Sequence, residues 1–140
     1  MSDKVRGLIV AHSSLGEGMA AAVRQISGVD EEALGSLSNE GRGPDGLVEA
    51  VTAAVGDDPV ILFTDLSSGS CAFAARKISV LRPGTGVVCG VNLAVLLDFV
   101  FHRDLPLGPL VERLVEKGRG GITGSCREEE TADADRALSG

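Results

Sequence analysis

The sequence predicts an α/β fold: an open, doubly wound, mainly parallel sheet with helices on both faces. Three observations carry this. Three apolar runs end abruptly at polar residues, stretches with helical periodicity fill the gaps, and Gly-, Pro- and Asp-rich turns separate the two. Short, uninterrupted apolar runs suit strands covered on both faces, as in a parallel sheet.

The first run, residues 5–11 (VRGLIVA), stops at His12. Met19, Val23 and Ile26 then recur at i, i+4 and i+7, the stripe of a helix with one buried face. Residues 33–38 (ALGSLS) make a weaker strand, suited to an edge. Gly41-Arg42-Gly43-Pro44-Asp45-Gly46 is a loop, followed by a helical stripe of Leu47, Val51 and Ala54. The second run, 59–64 (PVILFT), stops at Asp65. A helix over 70–81 places Ala74, Ile78 and Leu81 on one face. After the Arg82-Pro83-Gly84 turn comes the third run, 85–91 (TGVVCGV), which stops at Asn92. Two helical stripes close the pattern, one of Leu93, Leu96, Leu97 and Val100, the other of Leu107, Leu110, Val111 and Leu114.

The alternation β-α-β-α-β-α-β-α-α, with right-handed crossovers, favours the flavodoxin-like strand order 2-1-3-4. Residues 118–124, rich in glycine, are expected to form a short irregular C-terminal strand. The domain is expected to span 1–125, with 126–140 a flexible charged tail.

Composition bounds the function. A chain of 140 residues holds one domain. Aromatics are 3% and Trp and Tyr are absent, so the core must be aliphatic. A net charge of −7 and the shortage of stacking rings disfavour nucleic-acid binding. Cys71, Cys89 and Cys126 are an odd number without CxxC spacing, which argues against a disulfide framework or a zinc site and suits a reducing compartment. No apolar run approaches the ~18 residues of a membrane span. The reading is cytoplasmic, with no metal and no cofactor expected.

In an open parallel sheet, ligands bind past the carboxyl ends of strands where the strand order reverses. In the order 2-1-3-4 that point lies between strands 1 and 3, and the residues just beyond them are His12 and Asp65. Each heads a small polar segment, His12-Ser13-Ser14-Leu15-Gly16-Glu17-Gly18 and Asp65-Leu66-Ser67-Ser68-Gly69-Ser70, that runs into a helix. Helix N-termini offer unpaired N–H groups that suit a phosphate. Ser13, Ser14, Ser67, Ser68, Gly69 and Ser70 are therefore candidate phosphate contacts around the nucleophile. Taken singly, each residue has a plainer use: a strand-end histidine held by hydrogen bonds, Ser14 or Ser70 as an N-cap, Asp65 in an Asx-turn. The pairing of His12 with Asp65 at one switch point raises the functional reading to equal weight.

Other candidates read as structural. His102 sits at a helix C-terminus, where a cation interacts well with the helix dipole. Cys71 falls near the site at a helix start, where a thiol pKa is lowered, although a small buried residue is the commoner role there. The Gly41 loop lacks the GxxxxGK[ST] pattern, and no GxGxxG follows a strand.

Three blocks, in order, resemble the mannose-type (fructose/mannose family) IIA domains of the bacterial phosphoenolpyruvate-dependent sugar phosphotransferase system. They are Gly7-Leu8-Ile9-Val10-Ala11-His12 with Leu15 and Glu17; Leu62-Phe63-Thr64-Asp65-Leu66 with Gly69-Ser70 and Ala74-Ala75; and Gly90-Val91-Asn92-Leu93 with Leu96-Leu97. The resemblance implies a phosphocarrier in which His12 bears the phosphoryl group, Asp65 hydrogen-bonds it and Ser70 lines the pocket. It implies phospho-HPr as donor, a IIB domain or protein as acceptor, membrane association only through a transporter, and a homodimer in which residues 119–124 cross to the partner's sheet. The chain departs from the family pattern at Ser13, usually Gly, and at Ser68-Gly69-Ser70-Cys71, typically Gly-Gly-Ser-Pro, with Phe73 in place of Asn. The stretch 12–18 is also similar to the IIA domain of the dihydroxyacetone kinase phosphodonor subunit. A regulatory protein that binds partners according to its phosphorylation state is a third reading. A flavin or nucleotide module on the same fold is disfavoured by the missing ring stackers and phosphate loop.

Overall fold

A computed structural model describes residues 4–128. The strands are β1 (Arg6–Ala11), β2 (Leu34–Ser38), β3 (Val60–Thr64) and β4 (Thr85–Cys89). The helices are α1 (Leu15–Ser27), α2 (Pro44–Val55), α3 (Ser70–Leu81), α4 (Leu93–Val100) and α5 (Leu107–Gly120). The strands form one parallel sheet in the order β2-β1-β3-β4, as expected.

Alternation along the two central strands divides the core. Ile9 and Ala11 of β1 and Ile61 and Phe63 of β3 pack with Ala20 and Val23 of α1, Leu96 and Phe99 of α4, and Leu110 and Leu114 of α5. Their neighbours Leu8, Val10, Val60 and Leu62 point the other way, onto Leu47 and Val51 of α2 and Ala74, Ala75 and Ile78 of α3. Both faces are thus covered, which is why these runs contain no alternating polar residues. Gly7 fits where a side chain would not: a Cβ there would lie 2.6 Å from the Phe99 ring and 2.9 Å from Leu34. Phe99 itself packs edge-on against Phe63, with ring centroids 5.0 Å apart.

Two expectations are corrected. β4 ends at Cys89 rather than at 91, because Gly90 turns to φ +72° and both Gly90 and Val91 donate their N–H to the Thr64 carbonyl. The strand expected over 118–124 does not form within the chain: Gly118 to Gly120 continue α5, and residues 122–128 carry no regular structure. Close packing explains Gly118 and Gly121. A Cβ on Gly118 would lie 2.7 Å from Val95 and one on Gly121 3.3 Å from Ala94. Asn92 joins the two helices, capping α4 by accepting the Val95 N–H and donating its amide to the Gly118 carbonyl at 3.2 Å. The expected tail lies mostly outside the described residues; within them, 126–128 are exposed.

His102 takes the structural role expected of it, with Nδ1 2.8 Å from the Asp98 carbonyl oxygen at the end of α4. Asp98 is almost fully buried, and Arg113 of α5 donates to both of its oxygens, at 2.8 and 3.1 Å. No helix among the described residues is long and apolar enough to cross a membrane.

Candidate active site

Val10 of β1 lies beside Thr64 of β3 in the sheet register, so the next residues of each strand leave the sheet together. That delivers His12 and Asp65 to one point at the strands' carboxyl ends. Asp65 Oδ2 accepts the His12 backbone N–H at 3.0 Å and lies 2.9 Å from His12 Nδ1. Its other oxygen accepts the Leu66 N–H at 3.1 Å. The aspartate side chain is 9% exposed and the imidazole 41%. One partner is thus fixed inside the protein and the other presented to solvent.

Burial pushes the Asp65 carboxyl upward, but the His12 backbone N–H, the ring hydrogen bond and the ring's charge outweigh it. The net pKa falls below the ordinary value of 3.8. An ionised Asp65 is an acceptor only, so it requires a proton on Nδ1 and leaves Nε2 as the ring nitrogen it does not use.

The serine segments surround this pair unevenly. Ser13 adopts φ +53°, the left-handed region where glycine is at ease. Its N–H donates to Asn39 Oδ1 at 3.3 Å and its hydroxyl to Glu40 at 3.5 Å, so Ser13 is tied to the loop after β2. Ser14 occupies the N-cap position of α1 without a side-chain capping bond. Ser70 is the first residue of α3 rather than its cap, which is Gly69 at φ +92°. Ser67, Ser68 and Gly69 form an exposed loop. Neither helix start facing the site is closed by a side-chain cap, so N–H groups at both remain available there.

Cys71 is buried with Sγ 3.9 Å from His12 Nδ1. Its burial fits the commoner of the two roles open to it, a small buried residue, and the thiol pKa is raised rather than lowered. Burial raises it, the nearby Asp65 charge raises it further, and the Ser70 hydroxyl opposes them only in part. Cysteine, histidine and aspartate donor atoms all lie within 4.8 Å of one another.

Asn39 and Glu40 were not anticipated. The signal was available in the strand order: they directly follow β2, the neighbour of β1, so the same switch-point reasoning reaches them.

The family described as the PTS system fructose IIA component matches residues 7–115. Among solved structures, the fold is similar to the phosphotransferase system component EIIA from Streptococcus agalactiae. The TM-score is 0.78 at 23% identity, over 86% of this chain and 96% of that one. It is also similar to the mannose/sorbose-specific IIA subunit from Enterococcus faecalis, with a TM-score of 0.73 at 24% identity over 91% and 99%. A third is the PTS IIA protein associated with the fucose utilization operon of Streptococcus pneumoniae, with a TM-score of 0.68 at 18% identity over 99% of both chains. No curated protein matches the chain. The structural likenesses establish the fold, and the family match spans both the His12 and the Asp65 segments. The chain therefore belongs to the fructose IIA component family of the sugar phosphotransferase system.

Proposed function

We propose that His12 Nε2 accepts a phosphoryl group from phospho-HPr and passes it to a IIB partner in sugar uptake. The observation that carries this is the 2.9 Å contact between His12 Nδ1 and Asp65 Oδ2. A carboxylate on Nδ1 holds the proton there and turns the Nε2 lone pair outward, toward an incoming donor. As Nε2 forms its bond to phosphorus, the N–P bond of the donor phosphohistidine breaks. Positive charge grows on the His12 ring, and Asp65 stabilises it. This is the orienting logic of an Asp–His pair in a hydrolase, with the imidazole itself as nucleophile. The transferring group passes through a loose transition state, so positioning and N–H donors dominate. The uncapped starts of α1 and α3 are suited to that work, with Ser13, Ser14, Ser67, Ser68, Gly69 and Ser70 as candidate contacts. No cofactor enters the scheme.

The partner proteins place the reaction in the cytoplasm, with membrane contact only through a transporter. Pairing of two copies is supported by β4 lying at an edge of the sheet and by residues 122–124, which carry no regular structure and follow α5; Ile122 is 76% exposed. Exchange of these segments closes both edges in a two-fold dimer.

The test is incubation with a phospho-HPr generating system. Acid-labile, base-stable phosphate should appear on the wild type and not on His12→Ala. Uptake by His12→Ala would refute the assignment. The segment His12-Ser13-Ser14 keeps one alternative acceptor in view, the dihydroxyacetone kinase system. A chase with IIB proteins and with that kinase distinguishes the two, and a regulator would pass phosphate to neither.

A further inference from the structure

The thiol of Cys71 has no part in the transfer scheme, yet it faces the reacting pair. We propose that Cys71 Sγ, His12 Nδ1 and Asp65 form a reversible zinc site whose occupation excludes phosphorylation of His12. Thiolate, imidazole and carboxylate are the donor types that zinc takes, and three protein ligands with a fourth, open position are a common arrangement. Metal–ligand bonds of about 2.0–2.3 Å at tetrahedral angles put donor atoms roughly 3.3–3.6 Å apart. Here Nδ1 lies 2.9 Å from Asp65 Oδ2 and 3.9 Å from Cys71 Sγ, with all three donors within 4.8 Å of one another. Adjustments from a few tenths of an ångström to about one ångström, within reach of side-chain rotation, would seat the ion. Solvent reaches the site from the His12 side, where the imidazole is 41% exposed.

The proton balance makes the ion an inhibitor. Zinc needs the Cys71 thiolate and the Nδ1 lone pair. Binding releases one proton, from Cys71, and the His12 proton relocates from Nδ1 to Nε2 by exchange with water. No bond to carbon or phosphorus changes and nothing is oxidised. In the metal-bound form Nε2 carries hydrogen and has no lone pair to offer phosphorus, and Asp65 is engaged by the ion rather than by the ring. Conversely, attack by Nε2 on phosphorus needs the proton to be on Nδ1, which closes the metal position during transfer. His12 is distant in sequence from Asp65 and Cys71, which share one segment after β3, and a cysteine stands where the family's serine loop typically has proline. The device therefore belongs to this chain rather than to its fold.

The binding claim is independent of the phosphocarrier reading; the inhibition rests on it. The full chain, freed of metal and kept reduced, is titrated with Co²⁺ as a spectroscopic stand-in and with Zn²⁺ against a chromophoric chelator. Expected is one equivalent bound with a thiolate-to-cobalt charge-transfer band that Cys71→Ser abolishes and that Cys89→Ser and Cys126→Ser retain. Asp65→Asn should weaken zinc by about tenfold or more and serves as the second variant should Cys71→Ser lose its fold. No saturable binding, a band that survives in Cys71→Ser, or undiminished affinity in Asp65→Asn would overturn the site. In the phosphorylation assay, one equivalent of zinc should suppress uptake by the wild type and spare Cys71→Ser. Uptake by zinc-loaded wild type would overturn the exclusion. Absence of uptake in metal-free protein would instead overturn the phosphocarrier reading and leave the binding result standing.

Discussion

Asp65 holds His12 twice through a single oxygen, taking its backbone N–H at 3.0 Å and meeting its ring Nδ1 at 2.9 Å. The first bond fixes where the histidine leaves the strand, and the second fixes how its ring is turned. Replacing Asp65 with Asn keeps the shape and removes the charge that stabilises the ring as it becomes cationic. Transfer from phospho-HPr should slow, by up to about 10⁴-fold on the precedent of hydrolase Asp–His pairs. A wild-type rate in rapid-quench measurements would show that the contact does no catalytic work.

The same contact gives a signed pH dependence of stability. The folded-state pKa of Asp65 lies below its ordinary 3.8, so the unfolded chain takes up the proton first as pH falls. The stabilisation from Asp65 is complete above about pH 5 and is lost as pH drops through the folded value. The urea midpoint of Asp65→Asn should lie below that of wild type above about pH 5, and the two should converge below about pH 4. A gap that widens on acidification would mean the carboxyl is raised in the folded protein.

Ser13 carries backbone strain where the family usually has glycine. At φ +53° a residue with a Cβ is disfavoured by roughly 1–2 kcal/mol, and glycine returns about half of that through its freer unfolded chain. The side-chain hydrogen bond at stake is a 3.5 Å approach to Glu40, exposed to water. Ser13→Gly should therefore raise stability by up to about 1 kcal/mol, read from thermal melting. Destabilisation would mean that the Glu40 contact outweighs the strain.

The sheet's central strands, their order and the His12–Asp65 pair were legible because one physical fact governs all three. A strand buried on both faces must be apolar throughout, so its end shows as the first polar residue, and the topology then pairs those ends. What was not legible depends on contacts between distant residues. The glycines at 118–121 look locally like an extended exit; the approach of Val95 to Gly118 and of Ala94 to Gly121 shows why two of them sit in and just after a helix. Cys71 at a helix start is open to two readings, a thiol with a lowered pKa or a small buried residue, and only its burial beside Asp65 decides for the second. Asn39 and Glu40 follow the edge strand that neighbours β1, and their hydrogen bonds to Ser13 depend on a loop conformation that the strand order alone does not give.

Two glycines separate packing from propensity. Gly7→Ala drives a methyl into Phe99, Leu34 and Phe63 at 2.6–3.0 Å, and should cost about 1–3 kcal/mol. Gly18→Ala, on α1 with nothing beyond its own helix backbone near the added carbon, should instead stabilise by about 0.5–1 kcal/mol. Equal effects in denaturant titrations would contradict the close approach of α4 to β1.

Assembly is tested by where the chain is cut. Ending at Lys117 would damage the fold itself, since Gly118 receives the Asn92 amide and packs on Val95. Ending after Gly121 leaves α5 whole and removes Ile122 and everything beyond it. A segment that pairs with the β4 edge of a second copy would be lost in that form and retained in one ending after Ser125. The longer form should sediment as a dimer. The shorter should be monomeric or aggregate, because each copy then exposes an unpaired strand edge together with the apolar wall formed by Val91, Val95 and Val115. A stable dimer in the chain ending at Gly121 would place the subunit contact elsewhere and remove residues 122–125 from it.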